Sequence, residues 1–306
     1  MSKQFVVSAA VIGAAAVAST FTSAQAASPL STWSVVVQND LTSTSEVEGR
    51  AAVGRDLLGP ASNYGTRLTP ASNYLGTDVL LVGRNIQVTN VNMSAGNIRL
   101  GGVRSGNANF NGGGVQVSDP NTATTVANLF AETLAASSFL SGQAATNTVT
   151  IPNGQPGPVN FNAIANGNGV AFFSVSGSAL LSNNLVQQID MNFNGASSVI
   201  INVSGTSINF NQGNMVGNLA NEANGSKILW NFYEATSVVL DRRVVGAVLA
   251  PLANLRNTTV IAGSVSAKNF QQDGEVHLPV YTGFIPTPGS AGLLAASGLL
   301  ALRRKR

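Results

Sequence analysis

Two short motifs return along this chain at nearly the same interval, and that interval limits the fold more than any other feature. Val53-Gly54-Arg55-Asp56-Leu57 recurs 29 residues later as Val82-Gly83-Arg84-Asn85-Ile86, and Val175-Ser176-Gly177 recurs 28 residues later as Val203-Ser204-Gly205. Self-similarity at a fixed period of this size is the signature of a solenoid, in which each copy is one coil stacked on the next. A third copy, Pro60-Ala61-Ser62-Asn63-Tyr64 returning as Pro70-Ala71-Ser72-Asn73-Tyr74, is only ten residues away and reads as a loop.

Between the copies lie short β-branched runs bounded by Gly, Asn or Ser: residues 33–37, 79–82, 98–103, 170–175, 199–203, 227–232, 238–240, 244–249 and 260–265. Runs of this length with such punctuation read as strands. No alternation of strands with helices is present, so the expected class is all-β, with a β-solenoid or barrel favoured over an open sheet. One segment differs. After Asp119-Pro120-Asn121, the residues Val126, Leu129, Phe130, Thr133 and Leu134 fall at helical spacing, and Gly142 offers a stop. This predicts one amphipathic α-helix flanking the β core. Asn-rich stretches such as 107–111 and 192–194 either stack as amide ladders or serve as exposed turn residues, and both readings stand at this point.

Charge excludes one class of partner. Charged residues make up 9% of the chain, and five of its 16 basic residues (Lys3, Arg303, Arg304, Lys305 and Arg306) sit at the two ends. The remaining basic residues are outnumbered by the 13 acidic ones, which leaves no attraction to phosphate and no expectation of nucleic-acid binding. Cysteine is absent, which removes disulfides, thiolate metal sites and a Cys nucleophile.

Both ends read as addresses. Lys3, an apolar run from Phe5 to Ala18 and the small-x-small pattern of Ala24 and Ala26 predict a secretory signal peptide over residues 1–26, with the mature chain starting near Ala27. At the other end, residues 285–306 combine a proline segment (Pro286, Thr287, Pro288, Gly289), an apolar run from Ala291 to Leu302, and Arg303, Arg304, Lys305 and Arg306. Twelve helical residues reach roughly 18 Å, too short to span a bilayer, so transient insertion followed by processing is expected. The tail resembles the Pro-Glu-Pro sorting signals processed by exosortase-type enzymes of Gram-negative bacteria, with Thr287 where that signal has Glu.

Between these ends, residues 27–284 carry four stretches that together resemble the choice-of-anchor A family of bacterial adhesive domains: 45–54 (SEVEGRAAVG), 199–205 (VIINVSG), 228–235 (ILWNFYEA) and 246–255 (GAVLAPLANL). Residues 261–270 (IAGSVSAKNF) and 274–277 (GEVH) are similar to its closing strands. The resemblance implies a right-handed β-solenoid flanked by a helix, similar to ice-binding-like adhesins, and a domain followed by an anchoring signal.

Catalytic groups are sparse. His277 is the single histidine, so any Ser-His or His-metal scheme depends on it, and Asp273-Gly274-Glu275-Val276-His277 is a candidate hard-metal cluster. A polar turn before a final strand explains that segment more simply. Glu46 and Glu48 would share one face of a strand at about 6 to 7 Å, near the spacing of an inverting glycosidase pair and also compatible with Ca²⁺, although any alternating strand produces such a pair. Gly112-Gly113-Gly114 lacks the Lys-Ser/Thr of a phosphate loop. Thr122/Thr124 and Thr148/Thr150 share no period, so a regular threonine array is missing.

The expectation is therefore a non-catalytic adhesin or matrix-associated protein, exported to the cell surface or outer envelope of a Gram-negative-type bacterium. Its partners are the secretion and sorting machinery, the membrane through its tail, and an extracellular polysaccharide or matrix protein. No cofactor, catalytic residue or metal is expected. The alternative is a β-helix lyase or hydrolase acting on extracellular polysaccharide, which would need charged side chains converging in a cleft.

Overall fold

The computed structural model describes residues 28–285. The signal-peptide and sorting-tail positions, Ala24, Ala26 and Ala27 and Pro286 to Arg306, lie outside the described residues.

Every strand pairing is parallel, and the strands stack into ladders. Parallel ladders without intervening crossover helices arise when a chain coils so that successive turns lie on one another, about 4.8 Å apart. The first face runs, in spatial order, Val170–Ser176, Ser198–Ser204, Ile228–Asn231, residues 247–250 and 265–267, Val35–Val37, Ala51–Val53, Asp78–Val82, Asn97–Leu100 and Gln116–Ser118. The second runs Ser207–Phe210, Ser237–Leu240, 254–257, 269–272, Leu41–Ser43, 57–59 and 86–88. The third runs Val244–Val245, Ile261–Ala262, Val276–His277, Glu46–Val47, 61–64, 90–93 and Asn107–Phe110. A further ladder, Gly157–Asn162, Val186–Asn192 and Asn214–Met215, meets this third face where Met215 Sδ accepts the Val245 N–H at 3.2 Å. The β-solenoid expected from the sequence is thus the observed architecture.

The repeats are coils in register. Val53 pairs with Val82, Leu57 with Ile86 and Val175 with Val203. The bare coil is shorter than either interval: Val35 pairs with Ala51 and Leu80 with Ile98, 16 and 18 residues apart, and the longer intervals contain insertions. The glycine of the repeat has a steric reason. Side chains at Gly54, Gly83 and Gly101 would place a Cβ 2.0, 2.2 and 2.2 Å from the carbonyl oxygens of Gln38, Gly54 and Gly83, so only glycine lets the coils close at this corner. The ten-residue repeat is not structural, because its first copy lies in the strand Leu57–Tyr64 and its second in the 3-10 turn Ala71–Tyr74. Two predicted strands are each split by a corner: 244–249 breaks at Gly246, with φ of 121°, and 260–265 ends its first strand at Ala262.

Stacking is not in chain order. The amino-terminal coils wind from Val35 to Ser118, helix α1 (Thr122–Ser141) then returns along the first face, and the remaining coils wind back until 265–267 pairs with Val35–Val37. The two halves therefore meet at a seam inside the solenoid.

Helix α1 buries Val126 and Phe130 against Trp33, Val36, Ala52 and Leu81, and Ala136 and Leu140 against Leu30, Phe172, Ile200 and Leu229. Its buried stripe continues through Thr133 and Ser137. Leu134, expected on that stripe, points outward and is 38% exposed. The docking also uses polar groups. Asn231 donates to the Ser137 carbonyl (3.0 Å) and to Asn202 Oδ1 (2.8 Å), Asn202 donates to the Leu140 carbonyl (2.8 Å), and Ser137 Oγ donates to Asn231 Oδ1 (2.6 Å). Among the described residues no helix is long and apolar enough to cross a membrane.

Candidate binding face

With α1 packed on the first face, the third face presents a register-matched row of asparagine side chains. Its inward positions Tyr64, Val91 and Met93 are fully buried, so by strand alternation Asn63, Asn92 and Asn109 point outward. They are consecutive in register, and Asn109 donates to Asn92 Oδ1 and Asn92 to Asn63 Oδ1, each at 2.8 Å. Asn107 and Asn90 form a parallel, longer rung of 3.4 Å. On the other half, Asn192 donates to Asn162 at 3.0 Å. Asn107, Asn109 and Asn192 thus belong to strands and to amide ladders, whereas Asn111 and Asn194 are exposed turn residues, Asn194 with φ of 47°, so both readings of the Asn-rich stretches are found. Asn92, at the centre of the ladder, uses one N–H and one lone pair on its neighbours, whereas Asn109 only donates and Asn63 only accepts within it, so each keeps hydrogen-bonding capacity for a ligand.

A related column holds the corner between the first and second faces. Asn269, Asp40, Asp56 and Asn85 each offer a side-chain oxygen to the backbone N–H one coil on, at Asp40 (3.3 Å), Asp56 (3.1 Å), Asn85 (3.0 Å) and Val103 (3.1 Å). Position 56 of the first repeat and position 85 of the second are therefore chemically equivalent. Asp56 also binds the Arg84 guanidinium. That hydrogen bond is the main reason its carboxyl sits below the ordinary aspartate value, against the opposing effect of burial.

The predicted metal and catalytic candidates lie at the seam. His277 Nε2 is 2.6 Å from Glu275 Oε2, and Nδ1 is 3.2 Å from Glu222 Oε1, which Arg243 also binds at 2.7 Å. Burial pushes the imidazole pKa down, but the carboxylates of Glu275, Glu48 and Glu222 outweigh it and hold it above 6.5. Both ring nitrogens thus face carboxylates, an arrangement that fixes an imidazolium in place. Glu48 accepts the Leu278 N–H at 2.8 Å and an Arg67 N–H at 3.2 Å. Glu46 has its pKa raised by burial and by the nearby charges of Glu275 and Glu48; its strand ends at Val47, so Glu48 lies in the bend beyond it and the two carboxylates do not form the one-face strand pair expected from the sequence. Asp273 is turned away and pairs with Arg256 at 2.8 Å. Among the described residues no group of three or more His, Asp or Glu is placed to hold a metal ion.

Grooves are shallow and neutral. One of about 470 Å³ lies beside Thr148, Thr150, Gln155, Asn160 and Asn162, and one of about 310 Å³ beside Gln87, Thr89, Ser105 and Asn107. No charged side chain lines either, whereas charged groups pair with one another elsewhere: at the seam, at the Asp40–Asp56 corner, and where Arg99 bridges Asp78 and Asp119.

No curated protein matches the chain. Among solved structures, the ice-binding protein of the Antarctic ascomycete Antarctomyces psychrotrophicus aligns over 82% of this chain and 96% of its own, at 10% identity and a TM-score of 0.28, too low a score to carry an argument. A family model described as "Putative Ice-binding-like adhesive domain" matches residues 26–278, which includes every strand of the solenoid. By that match the chain belongs to the ice-binding-like adhesive domain family.

Proposed function

We propose that the chain is an exported, surface-held adhesin of the choice-of-anchor A type that grips an extended, hydroxyl- or acetamide-bearing extracellular polysaccharide through its amide face. The observation that carries this reading is the Asn63–Asn92–Asn109 ladder. Its amides are held in one orientation before any ligand arrives, so little rotamer freedom is lost on binding. They repeat at the coil spacing, which suits a polymer with its own repeat. Family membership supports an adhesive role at a surface. Export through residues 1–26, with cleavage near Ala27, and attachment through a Pro286-Thr287-Pro288 sorting tail rest on the sequence.

A binding array of polysaccharides and matrix proteins tests this, with residues 27–285 as the probe. Ile285 is kept because it is 3% exposed and packs with Leu30 and Tyr281. Binding without turnover, weakened several-fold by N92A and N109A together, is the expected result. Depolymerisation of any bound polymer supports the lyase or hydrolase reading instead, and binding unchanged in the double variant removes the amide face from the account.

A further inference from the structure

The run Thr148-Val149-Thr150-Ile151 is β-branched throughout, the kind of sequence that strands favour, yet it joins no ladder. It lies beside the end of the solenoid with Thr148 and Thr150 exposed and Val149 and Ile151 packed on the core. Its neighbour is the strand Gly157–Asn162, an edge that is paired on one side only. The two segments are tied at both ends. Asn147 accepts the Ile164 N–H (2.8 Å) and donates to the Ile164 carbonyl (3.1 Å), and Pro152 lies beside Gly157. Between these ties no backbone hydrogen bond joins them among the described residues. A groove of about 470 Å³ opens there instead, and Thr148 and Asn162 also line an adjoining one of about 360 Å³ that reaches Ile164. Each part has the size of a small-ligand site.

We propose that this groove is a glycan-binding site, separate from the Asn63–Asn92–Asn109 row, that takes a short run of neutral sugar units. The ligand class rests on the polysaccharide reading given above, whereas the site rests on the groove itself. Gly157 and Ala163 donate their N–H groups to Leu185 and Asn192 on the paired side, so by alternation the N–H and C=O groups of Asn160 and Asn162 turn towards the groove. Thr148 and Thr150 stand opposite. Among the described residues their hydroxyls and the Gln155 and Asn160 side-chain amides bond to no other protein group. Hydroxyls and amides both donate and accept, which matches the hydroxyl and acetamide groups of a sugar. No ionisable side chain lines either part of the groove, so a polymer bearing carboxylates or phosphates would give up hydration there without gaining a counter-charge. Ile164, 70% exposed, and Pro152 and Pro158 offer apolar surface to the C–H face of a sugar ring. An added peptide strand fits less well. Pro158 has no N–H to give and Asn147 already occupies both backbone groups of Ile164, which leaves only Asn160 and Asn162 to donate along this edge.

The test follows backbone amide signals of the isotope-labelled full chain by NMR. The probes are chitotetraose, cellotetraose, tetragalacturonate and a hexapeptide of alternating Thr and Val. The expected result is that a neutral tetrasaccharide shifts Thr148, Thr150, Asn160 and Asn162. It should bind several-fold more weakly to N160W, which fills the groove, and to T148V/T150V, which removes both hydroxyls at nearly constant shape. The double variant N92A/N109A should keep the parent affinity for these residues. Shifts at Asn63, Asn92 and Asn109 alone, or an affinity unchanged in both groove variants, overturn the groove site while the polysaccharide reading stands. Shifts at the groove caused by tetragalacturonate or the hexapeptide and by neither neutral sugar overturn the ligand class. If no sugar shifts any of these residues, the groove site and the polysaccharide reading fall together.

Discussion

Val35 and Val265 are partners in one parallel ladder, although nearly the whole described chain separates them in sequence. Val35 also pairs with Ala51 on its other side, so the first coil is closed between the second coil and the last. A solenoid built this way has its seam inside the body, and folding of either half is completed only when the other docks.

The polar contacts under α1 make a sharp prediction. Asn231 is fully buried and bonds to Ser137 and Asn202. N231A leaves the Ser137 hydroxyl and Asn202 Oδ1 without their partner, and leaving such groups unsatisfied costs about 1 to 3 kcal/mol each. Denaturant unfolding should show a loss in that range or above, whereas N109A, on the open face, should stay within about 0.5 kcal/mol of the parent.

The seam should depend on pH in a defined direction. His277 has a folded pKa above 6.5, so its stabilisation is fully present below 6.5 and is lost as pH rises through the folded value. Glu222 works the other way. Burial raises its pKa, but Arg243 and His277 outweigh that and bring it below 4.5, so its contribution holds above 4.5 and is lost as pH falls through the depressed value. The contributions of these two groups are therefore both complete between 4.5 and 6.5. Thermal midpoints of the parent and H277Q across pH 5 to 9 should converge at the alkaline end, and parallel curves would exclude His277 as the cause.

Glu46 sits beside Glu275 and Glu48 with a raised pKa, so its ionised form is a cost at neutral pH. E46Q should raise the melting temperature at pH 7, with a gain kept within about 1 kcal/mol by solvent screening. The gain should shrink as the pH is lowered and Glu46 takes up its own proton.

Close coil packing at the glycine corner predicts that G83A is destabilising, because a Cβ there would lie 2.2 Å from the Gly54 oxygen and 2.8 Å from the Ala123 Cα. Overpacking of this kind costs about 1 to 3 kcal/mol. Gly167, with nothing within 4 Å, is the control, and G167A should unfold with the parent.

Much of the fold was legible in local pattern. The Val53/Val82 and Val175/Val203 intervals are coil offsets, and the run after Asn121 is a helix beginning at Thr122. These follow from short-range physics: a glycine where backbones touch, a period of two inside strands, a period near 3.6 in the helix. Thr133 is buried as the stripe predicted, but Leu134 is not, because the stripe a helix buries depends on the surface it meets, and α1 meets a sheet face that continues the stripe through Ser137 and Leu140 instead. The amide ladder needed structure too, since asparagine serves turns and ladders alike and only the register of Asn63, Asn92 and Asn109 tells which.

What the sequence by itself determined is the unit: a short coil of β-branched strands with glycine and Asx corners, and one amphipathic helix to cover a face. What only the tertiary structure decided is the order in which those units stack, including the meeting of Val35 with Val265 and of Glu48 with Leu278. The ladders are held by backbone N–H and C=O groups that nearly every residue carries, so strand order leaves little trace in side-chain pattern. It is set by where α1 carries the chain before the second half begins to wind.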